Sequence, residues 1–427
     1  MAEAGAATGG DAGRLRLLFV LPFAPDRLGS HGGARVAGEI IALLAARHEV
    51  AVLYLAPAGE AEPRALPEGG RMTAVHVAAA ERRTAGLAGR AGRLVRLLAG
   101  GRPDWAEEAD RPEMAEALAR EVRAFRPDIL HCECAAMEPL IAVARGEDPA
   151  ITCIVTDYEP GISADAAPGT GQSWRRRLGN LVRRRAWARL GRRMLDGADA
   201  VVAFTAGDVV TIRSLAPNSP TPIVCIPFRL PLPPRGDGGG PAPIGSDLLF
   251  VGNFNHPPNR DAALFLLDSI LPRVRAALPD TTLAIVGADP PPELNRVGLP
   301  GVTVTGWVEN PGRYLAGTKV VVAPLRQGGG MRVKVVEACA FGKPVVATAC
   351  ATAGLDLAEG TEFFGAEDAE GFARAIVSLL SDPDRRVRMG QASRNWAERT
   401  QSPESWRRCY AVLYARLGHR SAAAIEG

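Results

Sequence analysis

Short blocks of consecutive apolar residues alternate along this chain with longer segments whose apolar positions recur every three or four residues. Two stretches show the pattern in full. "RLRLLFVLPFAPDRLGSHGGARVAGEIIALLAARHEVAVLYL" covers Arg14 to Leu55, and "SDLLFVGNFNHPPNRDAALFLLDSILPRVRAALPDTTLAIVG" covers Ser246 to Gly287. Each opens with an apolar block too short for a helix and rich in Leu, Phe and Val. Each passes through a Gly/Pro/Asn-rich loop into a helical spacing and ends in a second β-rich run, which predicts strand–loop–helix–strand twice. Such units demand parallel sheets with right-handed crossovers. Further strands are expected at "PDILHCECAAM", ending at His131, and at "AITCIVTDYE", "ADAVVAFTAGD", "GVTVTGWV", "KVVVAPL" and "KPVVATA". Between the halves, "PLPPRGDGGGPAPIGSD" (Pro231 to Asp247) has the composition of a linker. The expectation is an α/β protein of two doubly wound domains facing each other across a cleft: residues 14–230, a linker at 231–245, and residues 246–400. Ligands of such sheets bind outside the carboxyl ends of the strands, so the cleft between the domains is the expected site.

Composition narrows the class. A chain of 427 residues that is 47% hydrophobic and 23% charged is ordinary for a soluble globular protein of two or three domains. A net charge of +3 is too small to argue for nucleic acid. No apolar run approaches the roughly 18 residues of a membrane-spanning helix. The start, "MAEAGAATGGDAGR", carries Glu3 and Asp11 and lacks a basic stretch before an apolar core. Residues 1–13 therefore read as a disordered leader and not as a signal peptide. Seven cysteines are scattered without a CxxC pair, and Cys132 and Cys134 are separated by one residue. Reduced thiols in a cytoplasmic protein are expected, with no zinc site or disulfide framework.

The stretch "PLRQGGGMRVKVVEACAFGKPVV", Pro324 to Val346, carries the densest chemistry. Gly328, Gly329 and Gly330 precede a helix expected from Met331 to Phe341, with Gly342 suited to its C-terminal cap and Pro344 to its stop. Unpaired N–H groups at a helix start, approached through glycines, suit a phosphate. Gly330, Lys334 and Glu337 fall at i, i+4 and i+7 on one face, and Arg332 lies in the first turn. A diphosphate beside two cations, with a carboxylate deeper in to accept from sugar hydroxyls, describes a nucleoside diphosphate. The alternatives are an ordinary tight turn and an i, i+3 surface ion pair between Lys334 and Glu337.

The chain resembles the retaining nucleotide-sugar glycosyltransferases of family four, which have the two-domain GT-B architecture of Rossmann-like domains. The carriers are "HGGARVAGEIIALLAARHEV", "PDILHCECA", "VTDYE", "DLLFVGNFNHPPNRDA", "VTVTGWVEN" and "PLRQGGGMRVKVVEACAFGKPVVAT". The resemblance implies an N-terminal domain for the acceptor and a C-terminal domain for an activated sugar. It also implies a last helix, within residues 401–427, that crosses back onto the first domain. There "SPESWRRCYAVLYARL" places Trp406, Tyr410, Leu413 and Leu417 at helical spacing. An ordinary amphipathic surface helix would read the same way.

Residue by residue, the resemblance assigns Glu337 to the donor ribose. Gly252, Val308, Gly329, Gly330 and Met331 join the donor pocket, and Gly32 and Gly33 lie against the donor phosphates from the facing domain. Gly32 and Gly33 also suit close packing of a helix expected over Ala34–Arg47. Relatives often carry a second glutamate ahead of the ribose glutamate, with seven residues between the two; that place here is Gly329. Many relatives hold the diphosphate with an Arg and a Lys where this chain has Asn253 and Asn259. Arg332 and Lys334 stand at positions many relatives leave neutral, and Arg260 is another cation nearby. Charge compensation is thus expected to have moved from one loop to the facing helix, and a leaving diphosphate needs such cations to stabilise developing charge. No metal and no cofactor is expected.

On the acceptor side, Glu133 stands where relatives often have a His. A carboxylate at a strand end facing the cleft could take the acceptor's proton, and a solvated strand-end acid reads equally well. Asp157 and Glu159 are the runners-up, and His31 and His131 read as structural or functional alike. Retention, taken from the family, is expected to need no protein nucleophile, with the diphosphate helping to remove the proton. The expected partners are the nucleotide-diphosphate sugar and an acceptor glycan, lipid-linked sugar or small molecule. "GQSWRRRLGNLVRRRAWARLGRRML", Gly171 to Leu195, holds nine arginines and no acid. It reads either as a helix on its own domain with a solvated basic face, or as one resting peripherally on an anionic membrane surface; no nucleic-acid module accompanies it. Two other functions fit the same plan: a nucleotide-sugar epimerase, and a degenerate partner subunit, which Asn253, Asn259 and Gly329 keep open.

Overall fold

The computed structural model describes residues 14–26, 32–57, 71–77, 106, 111–158, 160, 174–234, 243–294, 299–328 and 331–419. The first half contains strands β1 (Arg16–Leu21), β2 (Glu49–Pro57), β3 (Arg71–Val77), β4 (Ile129–Glu133), β5 (Thr152–Asp157), β6 (Ala200–Ala203) and β7 (Ile223–Cys225). Among the described residues they form one parallel sheet in the order β3-β2-β1-β4-β5-β6-β7. Side chains alternate across a strand, so β1 feeds two cores. Leu18 and Val20 pack with Met114, Leu118 and Val122 of the Pro112–Phe125 helix and with Leu190 and Met194. Leu17, Phe19 and Leu21 pack with Val36, Ile40 and Ile41 of the Gly32–Ala45 helix, which begins two residues earlier than its spacing predicts.

The second half contains β8 (Ser246–Val251), β9 (Leu283–Val286), β10 (Val302–Val304), β11 (Thr318–Ala323), β12 (Val345–Ala347) and β13 (Phe364–Gly365), again parallel, in the order β10-β9-β8-β11-β12-β13. Strand order reverses between β1 and β4 in one sheet and between β8 and β11 in the other. Doubly wound sheets bind ligands at that reversal, outside the carboxyl ends of the strands.

The chain then returns. Ser402 caps the Pro403–Arg416 helix through the N–H of Ser405. Trp406, Tyr410, Leu413 and Tyr414 are buried, and the Tyr414 hydroxyl lies 2.8 Å from His131 Nε2 in β4. His419 adds a 2.7 Å contact to Thr152 at the start of β5. The final helix therefore ties the second half to the first sheet. The arginine-rich segment forms a helix, Trp174–Gly197. Ala186, Leu190, Met194 and Leu195 bury against the first sheet, while Arg184, Arg185 and Arg189 are exposed.

Candidate active site

A cavity of about 540 Å³ lies between the two sheets' reversal points. Of the residues singled out by sequence, Gly32 and Gly33 line it from the first domain. Gly252, Asn253, Asn259, Val308, Met331, Arg332, Lys334 and Glu337 line it from the second. Gly329 and Gly330 lie outside the described residues, as do His31 and Glu159.

The helix beneath the glycine turn is shorter than its spacing predicts, Val333–Ala340 in place of Met331–Phe341. Arg332 adopts a non-helical ψ of 41° and caps the helix, its carbonyl accepting from the N–H groups of Val335 and Val336. The other end closes as expected at Gly342. Its φ is +64°, and the N–H groups of Gly342 and Lys343 donate to the carbonyls of Cys339 and Ala338. That is a Schellman cap, which favours glycine because its φ is left-handed. Gly328 also has a left-handed φ, +111°, and a side chain there would press within 3.2 Å of the Pro258 ring.

The two cations at the start of this helix are held differently. Lys334 Nζ donates to Asn259 Oδ1 and sits 5.3 Å from the centre of the Phe250 ring. The Asn259 amide in turn donates to the Asn253 carbonyl at 2.8 Å. An asparagine where relatives carry a cation thus serves as an acceptor for a lysine arriving from the facing helix. Burial, then the neighbouring Arg332 charge, lowers the Lys334 pKa to about 7. Arg332 is itself buried, with Nη2 directed to the Gly328 carbonyl at 3.4 Å. Arg260, expected nearby, does not line the cavity; it pairs with Glu293 on the exposed surface.

Glu337 is buried, so it does not form the exposed i, i+3 pair with Lys334 that the spacing allowed. Its Oε1 accepts from Arg35 Nη2 in the first turn of the Gly32–Ala45 helix, across the cleft. Arg35 was not among the residues the sequence singled out. The available signal was its place two residues after Gly33, in a helix start that faces the cavity. Gly32 sits where a Cβ would come within 3.0 Å of Val333, so the two helix starts nearly touch.

Glu133 departs from its expected place. The strand runs two residues past His131, Glu133 pairs with Thr156 in β5, and its side chain points into the domain with 0% exposure. Its two oxygens accept from the hydroxyls of Tyr158 at 2.6 Å and Thr156 at 3.1 Å. His131, on the same face two residues earlier, stacks on Phe19 at 4.5 Å between ring centres. Tyr158 lines the cavity and Glu133 does not. Burial, reinforced by the Glu133 charge, pushes the hydroxyls of Tyr158, Tyr410 and Tyr414 well above their usual pKa. Glu133 is thus a buried acceptor behind the cleft wall. Asp157 is buried as well. A further residue that sequence reasoning missed is Trp307, 60% exposed at the cavity rim next to Val308.

Taken together, the described side chains lining the cavity include Arg35, Arg332, Lys334 and His256, and a single carboxylate, Glu337. Such a cleft attracts an anion. Among the described residues, no three His, Cys, Asp or Glu side chains stand in range of a shared metal ion.

Comparison with known proteins agrees with this architecture. Residues 31–229 match the family described as glycosyl transferase 4-like domain, and residues 245–382 match glycosyl transferases group 1. A curated relative, the GDP-mannose-dependent alpha-(1-6)-phosphatidylinositol monomannoside mannosyltransferase of Mycolicibacterium smegmatis, is 35% identical over 150 residues. That match takes in 31% of this chain and 39% of the relative. Sucrose-phosphate synthase from Thermosynechococcus elongatus superposes with a TM-score of 0.68 at 16% identity, covering 95% of this chain and 99% of that one. Anabaena HepE, solved with UDP and glucose, superposes with a TM-score of 0.64 at 13% identity, covering 94% and 100%. By family match across both domains and by fold, the chain belongs to the family-four glycosyltransferases of GT-B architecture.

Proposed function

We propose that this protein transfers a sugar from a nucleoside-diphosphate donor to an acceptor hydroxyl, with retention of anomeric configuration and without a required metal. The observation that supports this best is the cleft itself: cations from both helix starts converge on it, with one carboxylate among them. In this reading Glu337 accepts from the ribose hydroxyls. Arg332, Lys334 and the N–H groups at the start of the Val333–Ala340 helix hold the diphosphate. Val308, with Gly252 and Met331, borders the base and sugar. As the bond between the anomeric carbon and the diphosphate breaks, charge grows on the leaving oxygens and the cations stabilise it. The acceptor oxygen bonds to the anomeric carbon on the same face, and its proton passes to the departing diphosphate. Glu133 has no direct part, because Tyr158 stands between it and the cleft.

The acceptor is proposed to be lipid-linked or close to a membrane. The curated relative's name specifies a phosphatidylinositol mannoside acceptor, and the exposed Arg184, Arg185 and Arg189 form a basic face on the domain opposite the donor cations. Donor turnover followed by NMR in the presence of EDTA tests the chemistry. The account expects a product with the donor's anomeric configuration. An inverted product, or turnover only after a divalent cation is restored, would overturn it. Vesicle flotation tests the surface: anionic vesicles should bind the protein and salt should release it, whereas equal binding to neutral vesicles rejects the electrostatic version.

A further inference from the structure

Arg35 is a cation of this cleft to which no role was assigned from sequence. It comes from the first domain, yet its partner is Glu337 of the second, 302 residues away. That bond occupies a carboxylate which, in the proposed function, is needed by the ribose. A guanidinium cannot release its charge by deprotonating, so when Glu337 turns to another partner Arg35 needs another anion. The cavity that Arg35 lines is the one where Arg332 and Lys334 sit. The loop positions facing them, Asn253 and Asn259, are neutral.

We propose that Arg35 is a donor-sensing residue: it pairs with Glu337 across the cleft and passes to the donor diphosphate when the ribose hydroxyls claim that carboxylate. The inference rests on the reading of Glu337 as the ribose acceptor. The distances suit the exchange. Glu337 lies four residues into the helix from Val333, about 6 Å along its axis at 1.5 Å per residue. A guanidinium on a three-methylene stem spans that distance by side-chain rotation alone. The close approach of Gly32 to Val333 brings the two helix starts together, so no large movement of either domain is required. The exchange would have two consequences. A ligand with ribose but no phosphate must displace Arg35 without offering it a new partner. A diphosphate compensates Arg35 fully, which links recognition of the two ends of the donor to a contact between the domains.

The test uses the full chain and three ligands for each of three bases: uridine, guanosine and adenosine, each as nucleoside, monophosphate and diphosphate. Affinities are measured for the wild type, Arg35→Ala, Arg35→Lys and Glu337→Gln, after melting curves establish that all four are folded. With the competing ion pair gone, Arg35→Ala should bind the nucleoside about two- to fivefold more tightly, taking the range of an ordinary ion pair for one whose side chains are 20% and 8% exposed. Its preference for diphosphate over nucleoside should fall at least tenfold, and Arg35→Lys should recover part of that preference. An Arg35→Ala protein that loses the same factor for all three ligands, or that keeps its diphosphate preference within twofold, overturns the proposal. Glu337→Gln separates the two claims. Unchanged nucleoside binding in that variant refutes the ribose reading and the exchange with it. Weakened nucleoside binding there, with the diphosphate preference of Arg35→Ala intact, refutes the role of Arg35 alone.

Discussion

Lys334 should take up a proton when the donor binds. In the free protein its pKa is lowered to about 7 by burial and by Arg332, so it is largely neutral above neutral pH. A bound diphosphate adds negative charge beside the ammonium, favours its protonated form and raises the pKa. At pH 8.5, above the value of about 7, the lysine without donor is mostly neutral, so forming a charged complex requires close to one proton per ligand. At pH 6 the lysine is already charged and no uptake is needed. The sign follows: donor affinity falls as pH rises above about 7, by up to tenfold per pH unit until the pKa of the complex is reached. Calorimetry in two buffers of different ionisation enthalpy reads the proton directly, because the observed enthalpy shifts in proportion to the protons exchanged. At pH 8.5 the diphosphate should show uptake approaching one proton and the bare nucleoside close to none. Lys334→Met should abolish the difference. Zero uptake at pH 8.5 in the wild type, or the same uptake in Lys334→Met, would refute the placement of this lysine at the diphosphate.

Three further outcomes follow from the geometry. Gly32→Val places branched carbon where a Cβ already comes within 3.0 Å of Val333; initial-rate kinetics should show a loss of donor turnover with little change in melting temperature, and unimpaired turnover would show that the helix starts need not meet. Tyr158→Phe removes the donor to one oxygen of the buried Glu133; denaturant unfolding should reveal a loss of about 1–3 kcal/mol, the cost of an unsatisfied buried acceptor, and a loss below about 0.5 kcal/mol would mean that water or a neighbour replaces it. His48 is buried with its pKa lowered from 6.5 to about 4, first by burial and then by His131. Below pH 6.5 the unfolded chain binds the proton that the folded one refuses, so this residue's contribution to stability falls as pH drops from about 6.5 to 4, by at most about 1.4 kcal/mol per unit; unfolding curves of His48→Gln should lack that slope.

The parallel sheets were legible because β1 and β8 are buried on both faces and therefore read as unbroken apolar blocks. The face shared by Lys334 and Glu337 was legible because helix periodicity is local. The start of that helix was not, since Arg332 leaves helical geometry, with a ψ of 41°. The place of Glu133 was misread by a strand end. Extending β4 two residues, to pair with Thr156, turns a carboxylate expected in the cleft into a buried acceptor. The partners of Lys334 and Glu337 were beyond periodicity altogether. Asn259 is 75 residues from Lys334 and Arg35 is 302 from Glu337, and only the facing of two separately folded sheets brings each pair together.

The central claim is that Glu337 binds the ribose while Arg332 and Lys334 bind the diphosphate of one donor. A single binding series tests it most directly: nucleoside, monophosphate and diphosphate against the wild type, Glu337→Gln and Arg332→Ala/Lys334→Met. The account predicts that Glu337→Gln weakens all three ligands by roughly ten- to a hundredfold, the value of a charge-assisted hydrogen bond of about 1.5–3 kcal/mol. The double variant should leave the nucleoside within twofold of wild type and lose diphosphate affinity by a hundredfold or more. Equal losses for every ligand in both proteins, or none in either, would contradict it.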